Sequence, residues 1–360
     1  MKISTEPIGS IPRSGSLIDA MGNHAAGNLN AAEMDNLFKE ATQTIIRKFE
    51  ESGSEIITDG EQKKSSFVTY PLEGLTQLAS DGVVIPFADG HTRQLPRLTA
   101  GPFKYGKYAV DYLTKAKMLT SLPVKQAVIS ASAMSLLYPQ NGIENYSREQ
   151  FITDLINEAE KDIRLCLEAG AYNVQIDFTE ARLAIKLDPS LNLLKMFIDL
   201  NNQVIDRFNE NDRKRIGVHS CPGGDHDSTH SADIDYADLL PSLFELHATN
   251  FYLEFAAEKD KRHVLEVIKY NLKPGQKVFI GVTNVINTRI ETPEEIRDLI
   301  LLAAEYIPIA QLGTTDDCGF SPFADDRSTA QDIAFGKIKA RVEGTRMAES
   351  ILSKTVQPVV

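Results

Sequence analysis

Residues 215–221 read RIGVHSC, and residues 250–255 read NFYLEF. Each is a short apolar run that ends in chemistry-bearing side chains and is followed by a helical pattern. Similar β-rich runs occur at Pro7–Ile11, Glu55–Asp59, Val124–Ser130, Tyr172–Ile176, Lys277–Thr283 and Ile309–Gly313. Helical periodicity marks Ala31–Glu51, Ser147–Ala169, Leu191–Asn209, Tyr236–Leu246, Lys261–Lys269, Pro293–Tyr306 and Asp326–Leu352. Strands separated by helices imply parallel pairing through right-handed crossovers. Closing eight such units predicts an α/β fold, a (β/α)8 TIM barrel. The chain is long for that fold, and Gly82–Gly106 is rich in Gly, Pro and alternating apolar residues. That segment predicts a β-hairpin insertion after the second strand. No internal repeat or linker interrupts the pattern, so residues 1–360 are read as one domain.

Composition narrows the partners. A net charge of −12 disfavours nucleic acid and anionic membranes, because both need a basic face. Three cysteines do not make a disulfide framework, which points to a reducing, cytoplasmic setting. The start, MKISTEPIGSIPRSGS, lacks the continuous apolar run of a signal peptide, and no stretch is long and apolar enough to span a bilayer.

In such barrels chemistry sits at the C-terminal ends of the strands. Here those ends carry Gly9-Ser10, Asp59-Gly60-Glu61, Asp177, His219-Ser220-Cys221, Glu254, and Asp316-Asp317-Cys318. One imidazole, one carboxylate and two thiolates, from His219, Cys221, Glu254 and Cys318, form a ligand set that suits Zn²⁺. Buried cysteine is commonly just a small hydrophobe, and Cys166, in IRLCLEAG on the apolar side of a helix, is read that way. Glu254 differs, since a carboxylate interrupting FYLEFAA must be paired, metal-bound or functional. Two thiolates and a carboxylate outweigh the ion's +2, so such a site activates water poorly. It suits a bound substrate sulfur that stays nucleophilic. Arg13 is read as a carboxylate clamp or a structural ion pair, and Asp316 and Asp317 as helix caps.

The segments IGSIPR (8–13), TDGEQKKSSFVTY (58–70), VQID (174–177), HSC (219–221), YLEF (252–255), GVTNV (281–285) and DDCGF (316–320) occur in order. In this order the chain resembles the C-terminal catalytic barrel of the cobalamin-independent methionine synthase family, from about Ile8 to Leu352. The resemblance implies a zinc-dependent methyltransferase that passes a methyl group to the thiolate of homocysteine, giving methionine. It implies His219, Cys221, Glu254 and Cys318 as zinc ligands, and Ile8, Gly9, Ser10, Glu61 and Asp177 as the homocysteine site. The carboxylates would hold the ammonium and the backbone around Gly9-Ser10 the carboxylate.

The chain departs from the family pattern at three points. The second, N-terminal barrel of the full-length enzymes has no counterpart. The general-acid histidine after the seventh strand corresponds to Ile286, and Asp-Glu-Pro after the fourth is Asp177-Phe178-Thr179. The chain therefore resembles the short branch of the family, which includes epoxyalkane:coenzyme M transferase and single-barrel methionine synthases with other methyl donors. A small-molecule thiol and a methyl or alkyl donor (a folate, a corrinoid protein or another) are the implied partners. The loop PGGDHDSTHSADIDY (222–236) offers His226 or His230 as a replacement acid. Competing readings are an epoxide-opening thiol transferase or related carbon–sulfur enzyme, a uroporphyrinogen-decarboxylase type of barrel, and a non-catalytic zinc-stabilised binding protein.

Overall fold

The computed structural model describes residues 2–355. Seven parallel strands form one curled sheet in the spatial order Ser4–Thr5, Leu312–Thr315, Lys277–Gly281, Asn250–Leu253, Ile216–Ser220, Val174–Asp177 and Gln126–Ile129. The eighth position of the barrel is held by Ile57. It forms a parallel bridge with Val124, its N–H donates to Pro123 O, and its carbonyl accepts from Lys125 N. Glu55–Asp59 was expected as a full strand and is reduced to this bridge. The run at Pro7–Ile11 is likewise irregular, and the first strand lies just before it. Both segments leave the barrel wall early and cross its upper rim, where Thr58 Oγ1 donates to Gly9 O and Ile11 N to Gly60 O.

Side-chain caps define the outer helices. Asn30–Glu33, Ser147–Gln150 and Thr292–Glu295 form reciprocal capping boxes at the starts of Ala31–Glu51, Arg148–Glu168 and Pro293–Ala304. Their apolar faces join one continuous core that includes Ile45, Phe49, Leu155, Ile163, Cys166, Ile296 and Ile300. Cys166 is thus a core residue. Five helices escaped the periodicity reading, Gly15–Ala25, Val110–Lys117, Ala131–Ser135, Glu180–Leu187 and Glu210–Arg213. All are 4–11 residues long, too short for a stable amphipathic repeat to show. Among the described residues no helix is long and apolar enough to cross a membrane.

After Ile57, Val84–Pro86 pairs antiparallel with Thr92–Gln94, and Leu78–Ala79 with Arg97–Leu98. This two-tier ribbon reaches over the C-terminal rim. Arg93 bonds Asp225 and Asp325, and His91 bonds Asp225. The ribbon is thereby tied to the loops that follow the Ile216–Ser220 and Leu312–Thr315 strands.

The barrel interior is polar at its lower end. Glu6 accepts from the Tyr252 hydroxyl (2.6 Å) and from Asn173 Nδ2 (3.2 Å), while Lys125 Nζ lies 3.3 Å from the Tyr252 ring centroid. Burial pulls Lys125 down to about 8 although the Glu6 charge opposes it. These satisfied groups, with Ile8, Tyr252 and Phe279 packed together, form a floor beneath the rim residues.

Candidate metal centre and substrate cavity

Three strand ends converge. His219 is the fourth residue of Ile216–Ser220, Cys221 follows that strand, and Cys318 lies three residues beyond Leu312–Thr315. Ligand atoms of His219, Cys221 and Cys318 all lie within 4.8 Å of one another, and all three residues are buried. The two Sγ atoms are 3.0 Å apart. His219 Nδ1 is 3.1 Å from the Tyr252 carbonyl, which assigns its proton to that nitrogen. Its Nε2 is buried and has no partner among the described residues. A buried, unsatisfied imidazole nitrogen facing two thiols is costly for protein alone and fits a thiophilic cation such as Zn²⁺. Burial raises the Cys221 thiol, whereas Cys318 is held well below the usual thiol range, first by the hydrogen bond from Cys221.

Glu254 stands apart from this trio. It lies just past Asn250–Leu253, and its Oε2 is 2.8 Å from Arg182 Nη1. The same nitrogen reaches Glu258 Oε1 at 2.9 Å. Burial, with the charge of Asp317 adding to it, lifts the Glu254 carboxyl well above the usual range. Asp317 was expected to cap a following helix; the next helix begins only at Gln331. Its carboxylate instead accepts from Phe255 N, Ala256 N and Ala257 N, each at 2.8 Å. It therefore fixes the turn that carries Glu254. Asp316 accepts from Arg341 Nε at 2.9 Å and caps no helix either.

Beside the trio opens a cavity of about 330 Å³. Ile8, Gly9, Ser10, Glu61, Asp177, His219, His230 and Cys318 all line it. Glu61 is anchored by Lys64 Nζ at 2.8 Å, and Asp177 by Gln175 Nε2 at 2.7 Å. Asp177 is pushed up to about 6, by burial first and by the charge of Glu61 as well. Lys64 is fully buried, yet the charges of Glu61 and Asp59 outweigh burial and raise it. The first strand's exit stays close to the Cys318 loop. A Cβ on Gly319 would fall 2.2 Å from Ser10 Oγ, so any larger residue would push that hydroxyl off the Ser321 N–H that it accepts from. Among the described residues Arg13 bonds to no carboxylate. It donates to the carbonyls of Glu61, Gln62, Lys64, Ser321 and Phe323, stapling the Glu61 and Cys318 loops together.

The two loop histidines separate. His226 does not line the cavity; it is half-exposed, with Nε2 3.1 Å from Arg93 Nη2. His230 does line it and is buried against Phe87. Burial, reinforced by Lys186 and Arg182, lowers His230 to about 4. A Cβ on Gly223 would meet His230 Nε2 at 1.9 Å, which explains glycine at that place. The remaining wall is mostly apolar, with Phe67, Phe87, Leu95, Leu136, Leu183 and Phe323. Arg93 is the only lysine or arginine in the lining of the described cavity, and it is already paired with Asp225 and Asp325. Ile286 stands where the loop after Cys221 passes: a Cβ on Gly224 would lie 3.4 Å from Ile286 Cδ1 and 4.0 Å from Cys318 Sγ.

Arg182, Lys64 and Glu180 were not singled out from sequence. Arg182 and Glu180 sit on the short helix Glu180–Leu187, which the periodicity reading missed. A signal for both was present, since EAR directly follows a strand end that already carries Asp177.

The architecture has solved counterparts. A B12-independent methionine synthase from Shewanella sp. W3-18-1, in complex with selenomethionine, superposes with a TM-score of 0.78 at 20% identity, covering 98% of this chain and 100% of that one. One described as a putative vitamin-B12 independent methionine synthase from Listeria monocytogenes gives 0.72 at 22% identity, covering 98% and 99%. At the sequence level, the methionine synthase of Sulfurisphaera tokodaii is 23% identical over 365 residues, 99% of this chain and 98% of its own length. That of Saccharolobus solfataricus is 23% identical over 354 residues, 98% and 96%. Residues 3–333 match the family described as the catalytic domain of cobalamin-independent synthase, and the chain belongs to that family.

Proposed function

We propose that this barrel is a zinc-dependent S-methyltransferase that methylates homocysteine to methionine. The observation that carries the reading is the buried His219–Cys221–Cys318 trio opening into a cavity that also holds Glu61 and Asp177. Zn²⁺, when bound, would hold the acceptor sulfur as its nucleophilic thiolate near neutral pH. His219, Cys221 and Cys318 supply three ligands, and Glu254 is proposed as the fourth. Arg182 neutralises and orients that carboxylate, and Tyr252 O fixes the His219 tautomer.

The amino-acid end is held by the chain's own groups. Glu61 and Asp177 attract the ammonium, and backbone N–H groups at Ile8–Ser10 face the carboxylate. The ribbon contributes Phe87, Arg93 and Leu95 to the cavity wall. Glu61 and Asp177 argue against a purely structural metal site, which needs neither. They also favour an amino-acid thiol over coenzyme M, whose sulfonate they would repel.

The test is methionine formation from homocysteine and a 5-methyltetrahydropteroyl donor by zinc-loaded protein. Coenzyme M serves as the competing acceptor. Alkylation of coenzyme M with none of homocysteine would move the chain to the epoxide-opening class.

A further inference from the structure

The methyl-transfer reading leaves one buried acid in the cavity without a task. Glu180 opens the helix Glu180–Leu187 and lines the cavity wall together with Asp177, His219 and Cys318. Its Oε1 accepts from Ser130 Oγ at 2.6 Å and from Ser132 Oγ at 2.5 Å. Both serine oxygens are themselves acceptors, Ser130 from Ala133 N at 3.1 Å and Ser132 from Asn201 Nδ2 at 2.7 Å. Each hydroxyl hydrogen is therefore directed at Oε1. An oxygen that receives two hydroxyl hydrogens has no room for a proton of its own. A proton on this carboxyl must sit on Oε2, which is buried and has no partner among the described residues. The result is a carboxyl with one oxygen saturated and the other left free.

We propose that Glu180 is the general acid of the reaction, the proton donor to the departing atom of the methyl donor. This rests on the methyl-transfer reading. The acceptor thiolate's lone pair forms the S–CH₃ bond, and the C–N bond of an N-methyl donor breaks with its pair remaining on nitrogen. Oε2–H gives its proton to that nitrogen, and the Glu180 carboxylate regains one from solvent. The thiol proton lost on binding balances the proton gained by the leaving amine.

The surroundings suit the role. Burial is the main force raising Glu180 to about 7, and the Asp177 charge adds to it. Asp177 faces it from the neighbouring strand end, and His219 lies on the next strand. Asn201, Ser130 and Ser132 are uncharged. Arg182 and Lys186, on the same helix, are committed to Glu254 and Glu258 and to Asp233. His230 shares the cavity but, lowered to about 4, carries almost no proton to give near neutrality. The residue at 286 is an isoleucine.

The experiment compares the parent protein with Glu180→Gln. Gln can keep both serine bonds on its carbonyl oxygen yet transfers no proton. With homocysteine and 5-methyltetrahydropteroyltriglutamate, kcat should fall about 10²–10⁴-fold, the range for lost acid catalysis. The alkaline limb near pH 7 should vanish, while homocysteine affinity, zinc content and circular dichroism stay unchanged. Infrared difference spectra should show a protonated-carboxyl band in the parent that bleaches as pH rises through about 7 and is missing in the variant. An unchanged kcat and limb in Glu180→Gln would overturn the assignment, as would the absence of the titrating band. If the parent makes no methionine from this donor, the activity reading fails separately, and the infrared band alone decides whether Glu180 holds a transferable proton.

Discussion

Arg182 Nη1 lies 2.8 Å from Glu254 Oε2, and both side chains are almost wholly buried. The ion pair joins the helix after the Asp177 strand to the strand end beside the cysteines. A buried charge stripped of its partner is strongly destabilising. Arg182→Met should therefore lower unfolding free energy by about 3–5 kcal/mol, measured by urea titration of the apoprotein. It should also weaken zinc binding about 10–100-fold in chelator competition, because an orienting partner is lost. Unaltered zinc affinity in a folded variant would show that Glu254 acts without Arg182 or is not a ligand.

Cys221→Ser and Cys318→Ser should each remove zinc from the purified protein, since each takes away one thiolate of a two-thiolate set. Zinc content by mass spectrometry checks this. Full retention in both variants would dismiss the trio as a metal site.

Removing the metal should leave the barrel standing. The core runs continuously beneath most of the helices and extends far beyond the two rim cysteines it includes. Far-ultraviolet circular dichroism of chelated protein should match that of the zinc form, with activity lost and restored on adding zinc. Cooperative unfolding on chelation would instead mark a structural site.

The order and type of most elements were legible in the sequence because long apolar repeats announced them. Ala31–Glu51 occurs with the bounds its periodicity predicts, and the runs ending at His219 and Cys318 meet as expected. What was illegible depended on long-range geometry. Glu55–Asp59 has strand-like composition, yet its backbone bends to carry Gly60 and Glu61, both at positive φ, over the rim. Asp317 looked like a helix cap, because nothing local reveals that the backbone N–H donors to its carboxylate lie 60 to 62 residues earlier. Glu180 stayed hidden for the same reason. Its role rests on Ser130, Ser132 and Asn201, which come from two other segments.

Glu61→Gln and Asp177→Asn should weaken homocysteine binding by about 1.5–3 kcal/mol each, through loss of charge-assisted hydrogen bonds to the ammonium. A thiol of similar size without an amino group should bind nearly unchanged. Equal losses for both thiols would place these carboxylates in support of the metal instead.

His230→Asn should change kcat less than tenfold and keep the alkaline limb, because a histidine lowered to about 4 is neutral on both sides of that limb. His226→Asn should loosen the tie between the ribbon and the loop after Cys221, seen as faster hydrogen exchange around Arg93, with thiol affinity unchanged. If either variant flattens the limb, that histidine and not Glu180 supplies the proton.

The central claim, that the His219–Cys221–Cys318 centre activates the sulfur of an amino-acid thiol, is tested most directly by titrating homocysteine into zinc-loaded and zinc-free protein. Isothermal calorimetry in buffers of different ionisation enthalpy reads affinity and proton release together. The account predicts tight binding to the zinc form alone, with close to one proton released as the thiol becomes a thiolate. Equal binding to both forms with no proton release would contradict it.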